Sequence, residues 1–192
     1  MHHFFAYLSR MRFIQRWGLM RNTLPENDME HACQTAMIAH ALALTGNVRY
    51  GRAYDENRVM ALALYHDAPE VLTGDLPTPV KHGNPAMRAE YGKIEAMAAR
   101  QLLSMLPEDL RKSYAPLIEH DESTAEWRLV KAADRICAYL KCVEERKAGN
   151  SEFTQAQESV ARSIAAIDLP EVCDFMRDMA PGFGMSLDEI AP

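Results

Sequence analysis

The chain has 192 residues, 48% of them hydrophobic and 25% charged, with a net charge of −6. That length fits one domain of the usual ~100–200 residues, which buries roughly 70% of its unfolded surface without staples. The acidic balance argues against a groove for a nucleic-acid polymer, which needs a basic excess. It leaves room for a small phosphate ligand, for which one or two arginines suffice.

Four cysteines, Cys33, Cys137, Cys142 and Cys173, show no CxxC spacing. They form neither a disulfide framework nor a zinc knuckle, and are expected to be small packing residues, buried or partly buried. Free thiols point to a reducing, cytoplasmic compartment. The apolar N-terminus precedes Arg10, Arg12 and Arg16 instead of following them, unlike a signal peptide. The uncharged run 32–48 is too short and too polar to cross a membrane.

Helical signals dominate in chain order. Residues 3–20, apolar with interspersed arginines, predict one helix followed by a turn. Asn27, with Glu30 three residues later, resembles a capping box. It opens an Ala/Met/Leu-rich helix to Leu44 that Gly46 should stop. Asp55 can cap a third helix, in which Val59, Leu62, Ala63, His66 and Asp67 share one face. Pro69, then Gly74, Pro77 and Pro79, predict a rigid loop over 73–79. Asn84-Pro85 supplies an N-cap with Pro at N1. The helix beyond carries Met87, Tyr91, Ile94, Ala98, Leu102 and Met105 on one stripe, and Pro107 stops it. A shorter helix follows over 107–119. Ser123 and Glu126 form a capping box for a long helix to about Lys147, closed by Gly149-Asn150. Amphipathic segments at 152–167 and 170–179 complete the chain. With no β-alternation and no internal repeat, the expectation is an all-α fold in a single domain over 1–192.

Three positions carry chemistry. His66-Asp67 ends an apolar helix on its core face, although a histidine also suits the negative end of a helix dipole. Asp134 lies mid-helix on a stripe with Trp127, Val130, Cys137 and Lys141, where a carboxylate needs a partner or a cation. A buried ion pair with a nearby Arg or Lys is the other reading. His31 sits in a first helical turn, where the dipole favours the neutral imidazole that a metal requires. Together His31, His66, Asp67 and Asp134 can hold one divalent transition ion with positions open for water and substrate. Of the other histidines, His2 and His3 are terminal and His40 lies on another face, while His82 and His120 read as surface residues, which leaves the site mononuclear.

The H…HD…D pattern resembles the HD-domain metal-dependent phosphohydrolases. More narrowly, the chain is similar to the YfbR-type 5′-deoxynucleotidase family. The segments that carry the likeness are Phe4-Phe5-Ala6, Leu8-Ser9-Arg10, Arg16-Trp17, Leu19-Met20-Arg21-Asn22 and Glu30-His31. They continue with Tyr65-His66-Asp67-Ala68, the run from Glu70 to Lys81, Ala138-Tyr139-Leu140-Lys141-Cys142, and Ser186-Leu187-Asp188-Glu189-Ile190. The resemblance implies an HD-domain helical bundle, a homodimer, and hydrolysis of deoxyribonucleoside 5′-monophosphates to nucleoside and phosphate without strong base preference. It implies His31, His66, Asp67 and Asp134 as ligands of one divalent ion, with Co²⁺ effective and Mn²⁺ or another transition ion as alternatives. Glu70 becomes the catalytic acid/base and Arg16 the phosphate-orienting residue. Trp17 lies against the sugar. Asp75, Leu76, Pro77 and Thr78 hold the substrate beside His31, Asp67 and Asp134.

Elementary chemistry asks for the same parts. Phosphate monoesters are among the slowest species to hydrolyse unaided, and a 5′-alkoxide leaves poorly until protonated. A divalent ion neutralises phosphate charge and acidifies water. An arginine fork matches two phosphate oxygens, though 10–21 also reads as a basic face with a core tryptophan. A ring against C2′ leaves no room for a ribose hydroxyl. Asp75 could accept from the 3′-hydroxyl or simply belong to a turn, and Thr78 could donate to substrate or serve the loop. Pro69 interrupts the helix between Asp67 and Glu70 and bends the chain, so Glu70 needs a tight turn to face inward. The rivals are another HD phosphohydrolase, acting on a cyclic nucleotide or an alarmone, and a non-catalytic nucleotide-binding domain. Loss of a ligand or of the acid would mark the latter, and all five residues are present.

Overall fold

The arginine-rich start of the chain is not one helix. In this computed structural model, which describes residues 1–81 and 84–191 and only the backbone at Thr78 and Pro79, helix α1 covers Phe4–Leu8 and a 3₁₀ turn covers Ser9–Phe13. Ile14 then turns extended. Pairing with a distant segment overrides the local pattern: Gln15 bridges Asn27 in antiparallel fashion. The Arg16 amide donates to the Glu26 carbonyl at 3.0 Å, and the Asp28 amide donates to the Ile14 carbonyl at 3.1 Å. Phe4 and Met11 face inward from this arm.

Helix α2, Asp28–Tyr50, has the expected capping box: Asn27 accepts from the Met29 and Glu30 amides while Glu30 reaches back. It runs through Gly46 and ends at Gly51, whose φ of +63° is a left-handed cap. Gly46 is needed for packing. A Cβ there would stand 2.6 Å from the Tyr54 ring. Asp55 caps α3, Glu56–Tyr65, by accepting from the Arg58 amide. Two single turns, α4 (Glu70–Thr73) and α5 (Thr78–Lys81), flank the expected loop, which shrinks to 74–77. Asn84 caps α6, Pro85–Ser104, through the Met87 amide. Tyr91, Ala98 and Leu102 are buried on it, whereas Met87 and Ile94 remain exposed. Helix α7 covers Glu108–Ile118.

Thr124, not Ser123, caps α8, Ala125–Lys147, by accepting from the Trp127 amide. The Ser123 hydroxyl is taken by Asp121 at 2.6 Å instead. Helices α9 (Thr154–Ala165) and α10 (Pro170–Asp178) follow, each close to its expected span, and a short α11, Leu187–Ile190, ends the described chain. No β-strand occurs among the described residues. None of their helices is long and apolar enough to cross a membrane.

Helices α2, α3 and α8 pack on one another around Leu42, Val59, Ile136 and Leu140, with Val172 and Phe175 of α10 closing one side. A second cluster joins Phe4 to Ala99, Leu102, Leu106 and Ile118. Cys137 and Cys142 are buried as expected, but Cys33 and Cys173 are exposed. The three central helices each present one or two polar residues to a common point, and those residues make the site.

Candidate metal and phosphate site

His31 comes from the first turn of α2, His66 caps the end of α3, Asp67 follows it, and Asp134 projects from the middle of α8. Both imidazoles are buried. The His31 Nε2 lies 3.2 Å from Asp134 Oδ1 and 3.7 Å from Asp67 Oδ2. The His66 Nε2 lies 3.1 Å from Asp67 Oδ2 and 4.0 Å from Asp134 Oδ1. Atoms bound to one ion at ~2.1 Å sit ~3.0–3.4 Å apart, so these separations are close to the edges of a shared coordination sphere. The His66 Nδ1 is 2.7 Å from the Ala63 carbonyl, which assigns it the proton and turns the lone pair of Nε2 toward the carboxylates. That Nε2 is buried without a hydrogen-bond partner. An orphaned imidazole nitrogen beside two carboxylates is what a metal-ligating set leaves when the protein alone is considered. The residues therefore fit a divalent ion, with His31, His66 and Asp134 as one cluster and Asp67 against both imidazoles.

Burial works against charge on both carboxylates, yet His66 and Arg16 hold Asp67 well below the usual carboxylate range. Lys131 and His31 do the same for Asp134. Burial and the nearby Arg16 keep His31 neutral by lowering its pKa, while at His66 burial is overcome by Asp67 and Asp134 together, which raise it. The ordinary ion pairs at the site are Arg16 to Asp67 at 3.2 Å and Lys131 to Asp134 at 2.8 Å.

Arg16 is also 3.4 Å from Glu26 and 3.7 Å from Asp28, so its guanidinium is held at the edge of the candidate metal site. Trp17, beside it, is half-buried. Its indole N–H donates to Glu26 at 3.2 Å and its ring packs on Phe153 at 5.3 Å.

Pro69 does not turn Glu70 outward. The chain after Tyr65 makes a tight turn in which the Ala68 amide donates to Tyr65 and the Glu70 amide to Asp67. Pro69, with helical φ of −60°, then starts α4, where its missing N–H costs nothing. Glu70 is buried, with one carboxyl oxygen lacking a hydrogen bond. Burial, and then the carboxylates of Asp67, Asp28 and Asp75, push it up to about 10. Lys81 approaches it at 3.9 Å while pairing with Glu95 at 2.7 Å. Asp75, Leu76 and Pro77 are half-buried on the adjoining loop, and Asp75 feels both Arg16 and Asp67. The Thr78 side chain and all of His82 lie outside the described residues.

Sequence reasoning passed over two groups here. Asp28, which no sequence pattern singled out, is fully buried, and its carboxyl joins Asp67 and Glu70 in one acidic cluster beside Arg16. An acid directly after an N-cap gives no local sign of this, because the first turn normally faces water. His120, expected at the surface, is half-buried and stacked on Trp127, with ring centroids 3.4 Å apart. Burial and then Lys131 lower its pKa to about 4.

The model of the family described as 5′-deoxynucleotidase YfbR-like matches residues 3–183. A 5′-deoxynucleotidase of Erwinia tasmaniensis is 53% identical over 98% of this chain and 96% of its own length. A 5′-deoxynucleotidase of Vibrio parahaemolyticus is 51% identical, covering 98% of both chains. Among solved structures, an HD-domain phosphohydrolase from Listeria innocua superposes with a TM-score of 0.81 at 22% identity, over 94% of this chain and 88% of that one. An HD phosphohydrolase of cyanophage S-2L, solved with dA and one catalytic Zn²⁺ ion, superposes with a TM-score of 0.64 at 18% identity, over 93% of this chain and 95% of its own. Those two likenesses carry the fold. With half its residues shared with the bacterial enzymes over nearly all its length, the chain belongs to the YfbR-like 5′-deoxynucleotidase family.

Proposed function

We propose that this enzyme hydrolyses deoxyribonucleoside 5′-monophosphates to deoxyribonucleoside and phosphate, uses one divalent metal ion, and discriminates against ribonucleotides. The observation that carries the reading is the convergence of His31, His66, Asp67 and Asp134 on one point, with Arg16 and Glu70 beside it. The names of the bacterial relatives support the substrate class. The Zn²⁺ and dA in the cyanophage structure support a metal and a deoxynucleoside product. The donor set of two imidazoles and two carboxylates suits Co²⁺ or Mn²⁺ as well as Zn²⁺. When bound, such an ion neutralises phosphate charge and acidifies water.

The chain's own residues do the rest. Arg16 supplies the fork for two phosphate oxygens. Glu70, kept protonated by burial among other carboxylates, donates a proton to the leaving 5′-oxygen. Trp17 stands against C2′ of the sugar and excludes a 2′-hydroxyl. Asp75 accepts from the 3′-hydroxyl, with Leu76, Pro77 and Thr78 completing the loop over the substrate. A homodimer fits the family resemblance. Free cysteines fit a cytoplasmic setting.

The test is phosphate release. With Co²⁺ or Mn²⁺ added, the purified protein releases phosphate from dAMP, dTMP and dUMP much faster than from AMP, and EDTA stops it. Trp17→Ala admits AMP. Turnover of a cyclic nucleotide or an alarmone in place of these substrates would overturn the reading. So would retained binding with no turnover, the mark of a non-catalytic nucleotide-binding domain.

A further inference from the structure

Among the described residues Trp17 is the one non-glycine with positive φ, at +58°. An L-residue in that region is strained and persists where its surroundings over-determine it. The Trp17 carbonyl accepts from the Met20 amide at 2.8 Å and from Asn22 Nδ2 at 3.2 Å, which fixes the backbone of the turn. The ring is fixed separately, by Phe153 on one face and by the Glu26 carboxylate at its N–H.

Glu26 does more than hold a ring. The same oxygen, Oε2, that accepts from Trp17 Nε1 at 3.2 Å lies 3.4 Å from Arg16 Nε. Its backbone carbonyl takes the Arg16 amide at 3.0 Å. Both side chains of the pair are only 14% exposed, so water weakens this ion-pair contact little. One glutamate, two residues before α2, thus sets the directions of two consecutive residues on a different segment. The Gln15–Asn27 bridge holds the two segments in register.

We propose that Glu26 is the positioning residue that couples phosphate orientation to sugar discrimination. Its carboxylate aims the Arg16 fork and the Trp17 ring from a single point, so the ring meets C2′ only when the guanidinium meets the phosphate. This inference rests on the assignment of Arg16 to phosphate and Trp17 to the sugar. Glu26 touches neither substrate nor metal.

Two variants separate its functions. Glu26→Gln keeps an oxygen that accepts from the indole but removes the charge beside Arg16. Glu26→Met keeps the length and removes both. The measurement is kcat/KM for dAMP over AMP, with the ¹H–¹⁵N signal of the Trp17 indole followed by NMR and identified by its absence from Trp17→Ala. For the wild type the expected ratio is on the order of 10², the range that a shaped pocket gives against an added hydroxyl. Glu26→Gln retains that ratio within about threefold and raises KM for dAMP by on the order of tenfold, with kcat less affected. Glu26→Met lowers the ratio to below about 10 and shifts the indole signal to that of a solvent-exposed N–H.

A Glu26→Met enzyme with wild-type discrimination overturns the proposal and leaves the hydrolytic reading standing. A wild-type enzyme that treats AMP and dAMP alike overturns the assignment of Trp17 itself, and is seen without any variant. Should Glu26→Met fail to fold, the wild type and Glu26→Gln still decide. An indole proton that exchanges freely with solvent in the wild type refutes the bond, and a KM for dAMP unchanged in Glu26→Gln refutes the hold on Arg16; slow exchange with a raised KM upholds the proposal.

Discussion

Glu145→Ala is expected to lower stability sharply and to loosen the arm that carries Arg16 and Trp17. Glu145 is fully buried on α8. Its carboxylate accepts from the Thr23 amide at 2.9 Å, the Leu24 amide at 2.9 Å, Asn150 Nδ2 at 2.8 Å and Lys141 Nζ at 2.5 Å. Each bond to a charged group contributes about 1.5–3 kcal/mol when considered singly, and such values do not add. The controlling cost is Lys141, which is itself buried and would lose its counter-ion. Breaking a buried pair from one side costs about 3–5 kcal/mol. For a chain of this length each kcal/mol moves Tm by roughly 2–4 °C, so Tm should fall by about 6–20 °C. Burial works against the ionised form, but the bonds from Lys141, the Leu24 amide, Asn150 and the Thr23 amide bring the Glu145 carboxyl down to about 2. A depressed carboxylate contributes fully above its unfolded value and loses that contribution as pH falls through its folded one. The wild-type advantage is therefore complete above pH ~4.5 and closes toward pH ~2. Thermal unfolding followed by circular dichroism at several pH values measures this directly. A variant within about 2 °C of wild type at pH 7, or a gap that stays constant down to pH 3, refutes the reasoning. Glu145→Leu combined with Lys141→Met should recover part of the loss, because no buried charge is then left alone.

Further expectations concern the site. Asp134→Asn removes the carboxylate 3.2 Å from His31 Nε2 and should weaken metal binding by at least ~100-fold, read as metal content after gel filtration; undiminished content would show that Asp134 is held only for Lys131. Glu70→Gln should lower kcat by ~10²–10⁴ while KM stays within a few-fold, and a change in KM alone would make Glu70 a binding residue. Asp28→Asn should stabilise the metal-free protein in a pH-dependent way. Burial, and then Asp67, push the Asp28 carboxyl up to about 7. A raised acid costs stability as pH climbs from its unfolded value through its folded one. The Tm gain should therefore be greatest near pH 8 and vanish near pH 4; a loss at pH 8 would mean that Arg16 depends on that charge.

The elements that could be read from the sequence were those decided by neighbours a few residues away. The Asn27 and Glu30 box, the Asp55 cap, and Asn84 ahead of Pro85 are each settled within one turn, and the structure has all three. Asp134 was conspicuous because helical periodicity placed it on a buried stripe, and α8 confirms the stripe with Trp127, Val130 and Cys137 all buried. What periodicity could not supply was pairing across the chain. Residues 10–21 look helical until the backbone of 26–28 takes the Arg16 amide and the Ile14 carbonyl. Gly46 looks like a stop until the Tyr54 ring is laid over it. His120 looks like a surface residue until Trp127 is placed beneath it. Glu26 has no signature whatever: its significance lies in two side chains nine and ten residues upstream that approach it only through the bridge.

The early arm has a consequence for how the enzyme is made. Arg16 and Trp17 are synthesised well before several of the groups that pack on their arm. Phe4 packs against Leu102, Leu106 and Ile118, and at ~5–20 residues per second it waits roughly 5–20 s for them. The turn after Trp17 waits longer, for Glu145, for Asn150, which binds the Arg21 carbonyl, and for Phe153. The last of the four candidate metal ligands, Asp134, emerges before any of those three. The candidate metal ligands can thus come together while the arm that carries Arg16 and Trp17 still lacks these partners.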